Sequence, residues 1–133
     1  MYIDFNQLSE NSRLWVYGSS RIIQESDKVE IHNIIVPFLE KWNYHGKSLT
    51  CSYSIINNHF LIVGLDESIN PTGGCSVDGL QKIILEIDHN FAFNLFERLN
   101  VFLFLENKVH CVASKDLNQI TGLDRDSLIF NLN

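Results

Sequence analysis

Hydrophobic side chains recur along the chain with two spacings, one typical of strands and the other of helices. Asn57 and Asn58 can both adopt positive φ angles, which predicts a two-residue turn between neighbouring strands. The register set by that turn places apolar and hydroxyl side chains on one face, which comprises Leu61, Val63, Leu65, Thr50, Ser52 and Ser54. Stretches rich in β-branched and aromatic residues, or alternating apolar with polar residues, predict strands at residues 13–17, 49–55, 60–65, 101–105 and 109–113.

Two longer stretches place their apolar residues three and four positions apart, which predicts two amphipathic helices. Ser26 is the expected N-cap of the first helix and Gly46 its expected C-terminal stop. Ser76 is the expected N-cap of the second helix, and Ser114 that of a short last helix that runs through Gln119 and is stopped by Gly122. The apolar positions are Ile31, Ile34, Ile35, Phe38, Leu39 and Trp42 in the first helix and Leu80, Ile83, Ile84, Ile87 and Phe91 in the second.

The order of the elements indicates an α+β fold. Its first six elements match the ferredoxin-like (split βαβ) arrangement, an antiparallel sheet with the helices on one face, followed by a C-terminal hairpin and a short helix. The sequence has no linker or repeat, which predicts a single domain over residues 1–133. The mixed apolar and hydroxyl face of the sheet predicts a homodimer contact.

Composition and charge narrow the possible functions. The chain has 10 Lys and Arg against 16 Asp and Glu, a net charge of −6, which argues against binding to a nucleic-acid backbone. Its longest apolar runs are too short to span a bilayer, and its first residues do not resemble a signal peptide. The three cysteines lack CxxC spacing, so neither a disulfide framework nor a zinc site is expected. We therefore expect a cytoplasmic protein without a cofactor or a metal.

The segment from Asp66 to Asp78 carries the candidate chemistry, because it leaves a central strand and enters a helix. Unpaired amides and the helix dipole favour a small anionic ligand at such a position, and His45 is expected nearby. The candidate ligand-binding residues are Asp66, Glu67, Gly73, Gly74, Cys75, Ser76 and Asp78.

Two other interpretations of this segment stay open. A cysteine at a helix N-terminus can act as a thiolate nucleophile, so Cys75 could serve an enzyme with His45 or Asp66 as the proton acceptor. In a purely structural interpretation, Ser76 caps the helix, the glycines make the turn, and Cys75 fills a small buried space.

The sequence resembles a family of small bacterial proteins of unknown role. The resemblance rests on Trp42-x-x-His45-Gly46 and on residues 64–68, 74–78, 96–100 and 126–131. Members of that family often carry the label "ABC transporter ATPase", but the resemblance implies only a cytoplasmic single-domain protein. Gly46-Lys47-Ser48 ends like a phosphate-binding P-loop, whereas Lys41 stands where that motif requires its first glycine.

Overall fold

A computed structural model describes residues 1–69, 72–119, 128–130 and 132 of the chain. The fold belongs to the α+β class, with antiparallel sheets and two α-helices among the described residues. Short 3₁₀ segments lie at Phe5–Gln7 and Ser114–Gln119. The principal elements are β1 (Arg13–Gly18), α1 (Glu25–Lys41), β2 (Asn43–Tyr44), β3 (Lys47–Ser48), β4 (Thr50–Ile56), β5 (Phe60–Asp66), α2 (Gly74–Phe91), β6 (Asn100–Leu105), β7 (Lys108–Ala113) and β8 (Leu128–Phe130).

The strands form two three-stranded sheets and one short hairpin. The first sheet has the order β1-β5-β4, the second has the order β7-β6-β8, and β2 pairs with β3. Leu61, Val63 and Leu65 of β5 lie in one buried cluster with apolar residues of both helices. Both helices therefore pack on the same face of the first sheet, and each strand predicted from the sequence is present with its bounds shifted by a residue or so.

The register between β4 and β5 differs by one residue from the prediction. Asn57 and Asn58 have positive φ angles of 52° and 57°, as expected, but Ile56 pairs with Phe60, so that His59 is an extra residue in the loop. Because side chains alternate along a strand, this shift moves the whole apolar set of β5 to the other face.

The shift removes the reason for predicting a homodimer. Leu61, Val63 and Leu65 are at most 1% exposed under the helices, and their partners in β4 are Ile55, Tyr53 and Cys51. The hydroxyl residues of β4 lie on the opposite face. Leu61, Val63 and Leu65 therefore share no face with those hydroxyl residues, and the homodimer stays a prediction without that support.

The ends of α1 also differ from the prediction. The helix begins at Glu25, with Gln24 at the N-cap and the Gln24 amide donating to Asp27 Oδ2 at 2.9 Å, so Ser26 lies inside the helix. It ends at Lys41, because Trp42 turns to extended backbone. Gly46, with a φ angle of +79°, instead occupies the turn between β2 and β3.

The C-terminal part shows the predicted hairpin, in which β6 and β7 are joined at Glu106 and Asn107. The following segment, Ser114–Gln119, is a 3₁₀ helix. Its predicted stop at Gly122 lies outside the described residues, as do Asn70, Pro71 and part of the tail 126–131.

Candidate functional site

The two acidic residues after β5 make local contacts. Asp66 is buried, and its Oδ1 accepts hydrogen bonds from the Ser68 amide, at 2.9 Å, and from the Ser68 hydroxyl. Glu67 is exposed and lies 3.6 Å from Arg13, measured from Oε1 to Nη1. The Asp66 carboxylate thus closes the turn that follows β5, and Glu67 contributes a weak surface ion pair.

Gly73 and Gly74 have different roles at the start of α2. Gly73 is the N-cap residue, and a Cβ atom there would lie 2.7 Å from the ring of Tyr44. A Cβ atom on Gly74 would meet no other atom within 4 Å. The Tyr44 ring of the β2–β3 hairpin therefore lies against position 73 and would have to move for a larger residue there, whereas space is open beside position 74.

Ser76 is buried and connects α2 to the end of α1 through two hydrogen bonds. The prediction that it caps the helix is wrong. Gly73 occupies the cap position, and Ser76 lies in the first turn. Its hydroxyl donates to the Asn43 carbonyl oxygen at 2.7 Å, and its carbonyl oxygen accepts from Trp42 Nε1 at 2.9 Å.

Cys75 is exposed, which contradicts the interpretation that it fills a small buried space. It is the second residue of α2, and the first amides that donate within the helix are those of Ser76 and Val77, both to the Gly73 carbonyl oxygen. Among the described residues, the amides of Gly74 and Cys75 therefore have no acceptor. They provide the positive end of the helix dipole at this position.

Cys75 and His45 line a common groove of about 580 Å³ between α1 and α2. His45 lies in the β2–β3 turn with a φ angle of 51°, and its ring meets Tyr44 edge-on at 4.1 Å between centroids. Lys41, the last residue of α1, also lines the groove. The apolar part of the lining includes Ile34, Phe38 and Ile83.

The structure thus brings together only some of the predicted site residues. Cys75, Ser76 and His45 share the groove, whereas Asp66, Glu67 and Asp78 do not line it. Lys41 was not among the predicted site residues, although a basic residue in the last turn of a helix before a predicted ligand site is a usable signal.

Among the described residues, no group of three or more His, Cys, Asp or Glu side chains is placed to hold a metal ion. Within the same part of the chain, neither helix has the length and apolar character needed to cross a membrane. No protein-family model matches the chain, and neither the curated proteins nor the solved structures contain a match.

Proposed function

We propose that the protein is a cytoplasmic ligand-binding or regulatory module that takes a small organic anion in the groove between α1 and α2. The observation that carries this proposal is the placement of a cation, a histidine and a helix N-terminus at one groove. Lys41, His45 and Cys75 all line it. Its volume of about 580 Å³ lies within the range of small-molecule sites.

The two parts of the groove favour different parts of a ligand. The Lys41 ammonium group and the first amides of α2 favour a carboxylate or another anionic group. Ile34, Phe38 and Ile83 offer apolar surface, which favours a hydrocarbon portion on the same molecule. The proposed ligand class is therefore an amphiphilic anion.

Octanoate carries both features and is a suitable probe. We expect a titration followed by two-dimensional ¹H–¹⁵N NMR to give saturable shifts at Cys75, Ser76 and the β2–β3 turn. Lys41→Ala should weaken octanoate binding about two- to fivefold, since an exposed charge pair contributes modestly. Lys82→Ala, an exposed lysine of α2 outside the groove lining, is the matched control. Shifts that never saturate, or equal affinities for the two variants, contradict the proposal.

A thiol-dependent enzyme is the second candidate, because Cys75 is exposed and shares the groove with His45. In that case Cys75 is the nucleophile and His45 accepts the proton. Asp66 is a weaker candidate for the acceptor, since its carboxylate is used by Ser68. Cys75→Ala separates the two classes, because a binding module keeps its octanoate affinity in this variant.

For the fold, we propose the ferredoxin-like arrangement as a more specific description than the α+β class. The order β1-β5-β4 and the packing of both helices on one face support it. The strand after α2 does not support it, because β6 pairs with β7 and β8 in the second sheet. Membership of the bacterial family that the sequence resembles stays a prediction. The proposed role of the groove does not depend on it.

A further inference from the structure

A second cleft, of about 780 Å³, lies between the β4–β5 turn and the β6–β7 hairpin. Its lining comes from three separate parts of the chain, which are residues 20–22, residues 57–59, and residues 103, 105 and 107–112 of the β6–β7 hairpin. It shares no lining residue with the groove between α1 and α2. The cleft is therefore a separate feature of the molecule.

The charge of this cleft is opposite to that of the chain as a whole. Its lining includes Arg21, Lys108, His59 and His110 but no Asp or Glu, although the chain has 16 acidic residues against 10 basic ones. Asp27 compensates Arg21, with Oδ2 at 2.9 Å from Nη1. For Lys108 no ion pair occurs among the described residues. A net positive cleft on an acidic protein favours an anionic ligand.

His59 is the buried polar side chain of the cleft, with 5% of its surface exposed. Its Nδ1 lies 3.2 Å from the Asn57 carbonyl oxygen, and because a carbonyl only accepts, Nδ1 carries the hydrogen. Nε2 has no hydrogen-bond partner among the described residues. The turn itself is held in place, since the Ser19 amide donates to the His59 carbonyl oxygen and the Ile23 amide to that of Asn58, both at 2.7 Å.

We infer that this cleft binds a small tetrahedral oxyanion between His59 and Lys108, and that His59 takes up a proton when the anion binds. A neutral imidazole with its hydrogen on Nδ1 presents a lone pair at Nε2, which repels an anion. The doubly protonated ring presents an N–H donor there instead. The other charged or titratable groups of the cleft are Arg21, His110 and the Cys111 thiol.

The ligand can be a free inorganic oxyanion or the phosphate group of a small organic molecule, because both present the same oxygens. Ile22 and Leu105 add apolar surface to the cleft, which an organic ester can cover. Sulfate and phenyl phosphate therefore serve as two arms of one experiment. Tighter binding of phenyl phosphate supports an organic ester as the ligand, and equal binding supports a free oxyanion.

Sulfate is the primary probe because its charge stays constant over the range in which histidine titrates. We expect a ¹H–¹⁵N NMR titration, with sodium chloride at equal ionic strength as the reference, to give saturable shifts at residues 57–59 and 107–111. The affinity should fall as the pH is raised from about 6 to about 8. His59→Gln should weaken binding about tenfold at the lower pH and reduce the pH dependence, of which His110 can supply the remainder.

Lys108→Ala should weaken sulfate binding about threefold, and Lys82→Ala should leave it unchanged. Lys108 is exposed, so this variant decides the question even if His59→Gln does not fold. Shifts without saturation, unchanged affinity in Lys108→Ala, or pH-independent binding overturn the inference. Shifts confined to residues 74–76 also overturn it, since they report the groove between α1 and α2.

Discussion

At the scale of single residues, the three cysteine side chains differ sharply in their surroundings. Cys51 is fully buried, with its Sγ 3.3 Å from the Leu39 carbonyl oxygen, and this burial raises the pKa of its thiol to about 11. Burial also raises the pKa of Cys111, which is partly exposed. Cys75 is exposed at the start of α2. Since the thiolate is the reactive form, accessibility favours reaction at Cys75, and the raised pKa values disfavour reaction at Cys51 and Cys111.

We expect iodoacetamide to modify Cys75 first in the folded protein, Cys111 more slowly, and Cys51 only when the chain unfolds. Mass spectrometry of the peptides over a time course near pH 8 measures each rate separately. The same reaction in denaturant is the control, because there all three thiols should react at similar rates. Modification of Cys51 as fast as that of Cys75 in the folded protein contradicts the prediction.

At the scale of elements, Ser76 links α2 to the β2–β3 hairpin. Ser76→Ala removes the donor to the Asn43 carbonyl oxygen within a buried contact. We expect the free energy of unfolding to fall by about 1 kcal/mol, the usual net value of one hydrogen bond. Urea denaturation measures the change. Cys75→Ala, at the neighbouring exposed position, is the matched control, and an equal loss in both variants contradicts the assigned role of Ser76.

The sequence predicts the elements themselves better than their ends. Apolar periodicity depends on the chain alone, so the five longer strands and the buried faces of α1 and α2 were predictable, whereas the short strands β2, β3 and β8 were not predicted. The ends depend on competing caps: Gln24 and Gly73 occupy the N-cap positions that serines were expected to take. The β4–β5 register depends on the extra loop residue His59, and turn propensity alone does not distinguish a two-residue loop from a three-residue one.

The candidate site was predictable only in part, for a related reason. Cys75 and His45 were expected to lie close together, and both line the groove. Lys41 lines the same groove because α1 ends before the β2–β3 turn. Apolar periodicity defines the end of a helix only to within several residues, so the position of Lys41 was not predictable. Lys108 and His59 are far apart in the sequence and come to one cleft only through the packing of two hairpins.

At the scale of the whole molecule, the two sheets meet through Phe102. Its side chain is 2% exposed, and its ring centroid lies 5.1 Å from that of Phe60 in the first sheet. A Cβ atom on Gly18 would lie 2.3 Å from a carbon of the Phe102 ring, so glycine at the end of β1 makes room for it. This aromatic contact couples β6 to the first sheet.

We expect Phe102→Ala to lower the free energy of unfolding by about 3–5 kcal/mol, because it removes a large buried side chain and leaves a cavity. Leu99→Ala, whose side chain is 64% exposed, is the control and should change stability by less than about 0.5 kcal/mol. Thermal or urea denaturation with two probes measures both the loss and its cooperativity.

The two probes also test the prediction of a single domain. Trp15 lies in β1 of the first sheet and Trp42 at the end of α1, so their fluorescence reports that part of the molecule. The amide signals of β6 and β7 report the second sheet. If the Phe102 contact unites the sheets, both probes show one transition, and Phe102→Ala shifts both midpoints together. Loss of the β6 signals well before the tryptophan transition in the unmodified protein contradicts a single domain and shows that the second sheet unfolds by itself.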